Sequence, residues 1–171
     1  FNPTYWPAMV LRTGICILMA TAFLLFLTRK SEAAARPRLT RYLGLWLVGG
    51  VALSYAGYRW WEASLPETVL AMFRGESPVV ASLATTRSLT LWALAATLAL
   101  GVVFVVAIPR AARTAVTVLV AIAAFTFFGS YERLREGVRK PFLIHSELFS
   151  NGLAVADMGG DHGAHRVAQA A

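Results

Sequence analysis

The sequence predicts an all-α integral membrane protein, a bundle of four transmembrane helices with a short interfacial helix. Three observations lead there. Of 171 residues, 57% are hydrophobic and 15% charged, and the mean hydropathy is +0.59. A soluble domain of this length carries more charge. Apolar runs of about twenty residues recur, the length that crosses ~30 Å of hydrocarbon. No alternating barrel pattern appears, and a helix satisfies every backbone polar group within its own segment.

The first span is expected at 8–27, after Pro3 and Pro7, which should hold the preceding chain extended. The second is expected at 42–61, and the third at 88–108, ended by Pro109. The fourth, 114–138, opens with about seventeen residues that carry no charge. Together with their links they make a transmembrane domain over 1–149. Residues 150–171, rich in Gly and Ala, read as a flexible outward-facing tail.

The links set orientation. Link 28–41 carries Arg29, Lys30, Arg36, Arg38 and Arg41 against Glu32 alone. Link 109–115 carries Arg110 and Arg113 and no acid, whereas the link from 62 to 87 is mixed. The positive-inside rule places the first and third links in the cytoplasm. Both termini then face outward, on the periplasmic side of a bacterial inner membrane. Against this, 133–140 adds four basic residues on the outer side. Segment 65–75 places Leu65, Val69, Met72 and Phe73 on one side, as an interfacial amphipathic helix does. Tyr58, Trp60 and Trp61 are expected in an aromatic belt at the bilayer edge.

The net charge of +7 and pI of about 10.3 fit basic loops beside anionic lipid. Without a basic patch interleaved with aromatics, a nucleic-acid partner is not expected. The single cysteine, Cys16, excludes an intrachain disulfide and a c-type haem attachment motif. His145, His162 and His165 all follow the fourth span, so the chain cannot by itself hold two bis-histidine haems inside its spans. Asp161, His162 and His165 are metal ligands by composition only, at the end of the tail, and His145 reads as solvated or against headgroups.

Chemistry concentrates in YERLREGVRKPFLI, 131–144. On a continuing helix Glu132, Glu136 and Arg139 fall at i, i+4 and i+7 and share a face, with Arg135 beside it. Pro141 limits the helix to about residue 138 or 139. One reading is an ion-paired helix end at the interface. The other is a buried carboxylate that carries protons or ligates metal, with arginines neutralising an anionic cofactor. Arg12, one turn into the first span, either snorkels to headgroups or pairs with a carboxylate or propionate of a neighbour.

EGVRKPFLI (136–144) resembles the E-x-G-R-Q-P-W-x-I signature of subunit I of cytochrome bd-type quinol oxidases, through Glu136, Arg139, Pro141 and Ile144. Val138, Lys140 and Phe142 replace its glycine, glutamine and tryptophan. The resemblance implies that Glu136 is the axial ligand of a high-spin b haem, and so its iron ligand, with Arg139 as electrostatic partner. The first span looks like the helix that carries the methionine ligand of the family's low-spin haem. Arg12 falls on that helix's arginine, but the ligand position holds Gly14, and Met9 and Met19 are out of register. NPTYWP…LRTG and RKPFLI…FSNGL also resemble the C-terminal membrane half of divergent bd-like proteins found beside, or fused to, c-type cytochromes. Two departures stand: two additional spans between Arg12 and Arg139, and no N-terminal half with its haem-ligating histidines.

The resemblance implies a membrane subunit of a respiratory electron-transfer complex, part of a haem-containing oxidoreductase linked to quinol or cytochrome c and not active alone. It would hold haem b at the outer membrane face, shared with a partner chain, through Glu136, Arg139, Arg12 and Glu132. Its partners would be a haem-bearing membrane subunit, a c-type cytochrome, quinone and the lipid bilayer. The alternative is a cofactor-free structural subunit of a respiratory or photosynthetic complex, with Gly49, Gly50, Ala56 and Gly57 serving close helix packing. A small transporter with Arg12 and Glu136 on its ion path finds no broken helix or repeat to support it.

Overall fold

A computed structural model of the chain describes residues 3–74, 83–106 and 113–139, and these are all-helical or in turns. Helix α1 spans Tyr5–Leu27. It begins before the expected residue 8, with Pro7 inside its first turn rather than holding the chain extended. Proline is tolerated there because the first amides of a helix have no intrahelical acceptor. A 3-10 turn, Thr28–Lys30, leads towards α2, Arg36–Ala63. This helix also starts earlier than expected, with Pro37 in its first turn. The Arg36 guanidinium ties the turn by donating to the carbonyls of Arg29 and Ser31 at 3.1 and 2.8 Å. A short α3, Glu67–Arg74, precedes α4, Ala84–Val106, and α5, Arg113–Arg139.

The four long helices close a ring of contacts, α1 on α2, α2 on α4, α4 on α5 and α5 on α1. The α1–α2 seam is built on small residues. A Cβ on Gly14 would collide with Ser54, one on Gly50 would lie 2.9 Å from Leu18 Cδ2, and one on Gly57 would lie 2.7 Å from Leu11 Cα. These pairings run in opposite directions along the two helices, so the helices are antiparallel. Close backbone approach of this kind replaces hydrophobic driving force between helices in lipid. Gly49 meets nothing within 4 Å, and Ala56 is exposed, so neither serves this seam.

Several buried hydroxyls are satisfied within their own helices. The hydroxyls of Thr90 and Thr97 donate to the carbonyls of Thr86 and Ala93, and that of Ser130 donates to Phe127. The interior is filled by Leu11, Leu18, Leu25, Leu47, Val120, Phe127 and Leu134. Large apolar side chains are also abundant outside, with Phe23, Trp92, Ile122 and Phe125 all exposed. Helices apolar on every side suit a lipid environment.

Three segments are long and apolar enough to cross a membrane: Tyr5–Lys30, Ala84–Val106 and Thr114–Val138. Helix α2 matches them in length but does not stand out by composition, because Gly44, Gly49, Gly50, Gly57 and its tyrosines dilute its apolar character. The apolar side of α3 is turned into the bundle: Leu65, Val69 and Phe73 are buried in the common core.

Candidate functional site: the aromatic end of the bundle

The start of α1, the end of α2, α3, the start of α4 and the end of α5 meet at one end. Its centre is aromatic. Trp61 packs on Tyr58, Phe73 and Tyr131 with ring centroids 6.0, 6.1 and 5.8 Å apart, within the range of favourable aromatic pairs. Tyr58 and Trp61 are therefore core residues, not belt residues, while Trp60 remains exposed. A one-turn spacing on α2 puts Tyr58 and Trp61 on the same face, and that face is the inner one.

Tyr58 and Tyr131 are fully buried, and neither hydroxyl has a hydrogen-bond partner of good geometry. Each is instead surrounded by charge. The Tyr131 hydroxyl lies within reach of Arg12 on α1 and of Glu132 and Arg135 on α5. The Tyr58 hydroxyl lies within reach of Glu62, Arg87 and Arg59. The interior thus ends in two phenols, each overlain by a cluster of ionised side chains.

At the first cluster, Arg135 bridges two carboxylates. Its Nη2 lies 2.7 Å from Glu132 Oε2 and 3.1 Å from Glu136 Oε1. The Glu136 side chain is 45% exposed and the Arg12 side chain is on the surface. The structure therefore brings Arg12, Glu132 and Glu136 to the same end, and adds Arg135 as the link between the two acids. Arg139 is the last residue of α5, two before Pro141; its side chain lies outside the described residues. So do His145, Asp161, His162, His165 and the tail. Among the described residues no three His, Cys, Asp or Glu side chains gather as a metal site would need.

At the second cluster, Arg87 Nε donates to Glu62 Oε1 at 2.6 Å, and Arg59 Nη1 lies 3.9 Å from Glu62 Oε2. Glu62 is only 12% exposed, and these arginines are its counter-ions. This pair was not singled out from the sequence, where both residues read as charges of a mixed link. Arg87 sits one turn into an apolar helix, and that position was the available sign that it needs a carboxylate from elsewhere.

Could the first cluster edge a haem? A carboxylate held ionised by a guanidinium is a reasonable weak-field oxygen ligand, and arginine suits propionates. The ring contacts around Trp61 fill the centre of this end, so these residues could meet such a group only at the outer edge, not enclosed by the bundle. No protein-family model, curated protein or solved structure matches the chain.

Proposed function

We propose that the chain is a subunit of a larger membrane electron-transfer assembly, and that Arg12, Glu132, Arg135 and Glu136 form the edge it presents to a haem-bearing partner. The observation that carries this reading is their convergence from α1 and α5 on one end, with Glu136 bridged to Arg135 at 3.1 Å yet open to the outside. A charge cluster at the end of apolar helices favours a polar or charged partner over lipid tails.

The resemblance to cytochrome bd-type subunit I supports the finer version. Glu136 would face the iron of a b haem shared with that partner, and Arg12 and Arg139 would meet its propionates. The haem would supply one-electron chemistry. Arg135, itself held by Glu132 at 2.7 Å, positions the Glu136 carboxylate. In this version α2 is the fourth span, α3 lies at the outer interface, both termini face the periplasm of a bacterial inner membrane, and a c-type cytochrome docks on that side. Quinol is the alternative electron donor. The second reading, a cofactor-free structural subunit, is favoured by the aromatic filling of the same end.

Reduced-minus-oxidised spectra of the complex purified with its partners separate the two. With Glu136→Ala, loss of a high-spin b-haem signal from an intact assembly is the expected result. An unchanged spectrum would remove Glu136 as a ligand and leave the structural reading in its place.

A further inference from the structure

The second cluster at this end borders a pocket of about 310 Å³, lined by Arg59, Glu62, Ala63, Leu70, Phe73, Arg74 and Arg87. That size is at the lower bound of small-ligand sites. Its lining carries three guanidiniums and one carboxylate, and the carboxylate is already engaged by Arg87 and Arg59. Arg74, on α3, pairs at 2.9 Å with Glu67, and both are more than half exposed at the rim. Two features point to a ligand and not to a solvated charge run. Arg59 and Arg74 turn their guanidiniums outward from the same lining, more than half exposed, while Arg87 is held by Glu62 and by the buried Tyr58 behind it. Leu70, Phe73 and Ala63 form an apolar wall beside the arginines, so the pocket is amphiphilic. Guanidiniums are forks matched to phosphate oxygens.

We propose that this pocket binds a phosphate ester, with Arg59 and Arg74 gripping the phosphate, Arg87 held behind them by Glu62, and the apolar wall against the adjoining carbon skeleton. The apolar wall and the exposed Trp60 nearby favour the headgroup of an anionic phospholipid; free phosphate is the other source of the same chemistry. The assignment is independent of any haem.

The test uses the full chain purified in detergent. Native mass spectrometry follows retention of phosphatidylglycerol against phosphatidylcholine, and thermal unfolding follows added inorganic phosphate. Three proteins are compared: wild type, Arg59→Gln/Arg74→Gln, and Arg38→Gln/Arg41→Gln at the opposite end. All four arginines are exposed, so both double variants should fold. With Arg59 and Arg74 both attracting an anionic headgroup, wild type should hold phosphatidylglycerol about thirtyfold better than phosphatidylcholine. That preference should be lost in Arg59→Gln/Arg74→Gln and kept in Arg38→Gln/Arg41→Gln. If the lipids bind equally but phosphate raises the melting temperature of wild type and not of Arg59→Gln/Arg74→Gln, the site stands and free phosphate is its ligand. A preference that survives Arg59→Gln/Arg74→Gln, or no preference together with no phosphate effect, overturns the proposal.

Discussion

Gly57 and Gly49 lie about two turns apart on α2 and tolerate a methyl group very differently. A Cβ at Gly57 would press on the Leu11 backbone, which cannot swing aside, whereas one at Gly49 enters open space. Gly57→Ala should therefore destabilise the bundle by about 1–3 kcal/mol through overpacking. Gly49→Ala should be neutral or stabilise by up to about 1 kcal/mol, the helix propensity difference. Thermal unfolding of the two variants in the same detergent checks the contrast; equal melting temperatures would mean that the α1–α2 seam is not as tight as described. Arg87→Gln removes the nearest cation from mostly buried Glu62. The cost should be about 1–3 kcal/mol, less than for a fully buried pair because Arg87 is partly solvated. The double variant Arg87→Gln/Glu62→Gln should recover part of that loss. The sequence shows that α2 is rich in small residues, but not which of them face α1. Apolar character on all sides removes the amphipathic signal that would assign a face.

At the scale of elements, α3 shows how a pattern can be read correctly without fixing which neighbour its apolar side meets. The spacing of Leu65, Val69 and Phe73 marks one apolar side, and the structure buries that side in the bundle's own core. A short amphipathic helix beside a membrane meets two apolar surfaces, lipid and protein, and periodicity does not distinguish them. Phe73→Ala should release α3 and expose Trp61, its ring partner at 6.1 Å. The expected cost is about 3 kcal/mol, accompanied by a red shift in tryptophan emission. Unshifted emission would place α3 away from Trp61. The early starts of α1 and α2 have a different origin: proline reads as a helix breaker along the chain, but in the first turn it fits.

For the whole molecule, the proposed reading has α2, which packs in a ring with α1, α4 and α5, cross the membrane with the other three. Cysteine labelling tests this on a Cys16→Ser background, because Cys16 is itself exposed. Cysteines placed at exposed Glu32 and Glu67, which flank α2, should react from opposite sides. A membrane-impermeant maleimide should label the Glu67 position on intact cells and the Glu32 position only after permeabilisation. Labelling of both from one side would remove α2 as a span and, with it, the outward placement of the aromatic end.

Membrane character, helical class and the clustering of charge at 131–140 follow from the sequence alone, because composition and run length act locally. Each apolar run closes its own backbone hydrogen bonds wherever its neighbours lie. The tertiary structure decided the rest. It brought Arg12 of α1 to Tyr131 of α5, joined Glu62 to Arg87 from residues twenty-five apart, and buried Tyr58 and Trp61 in the core rather than leaving them in an aromatic belt. These are pairings between helices whose surfaces are apolar all round. Only close packing of small against large residues selects among such faces, and that selection is a property of two surfaces at once.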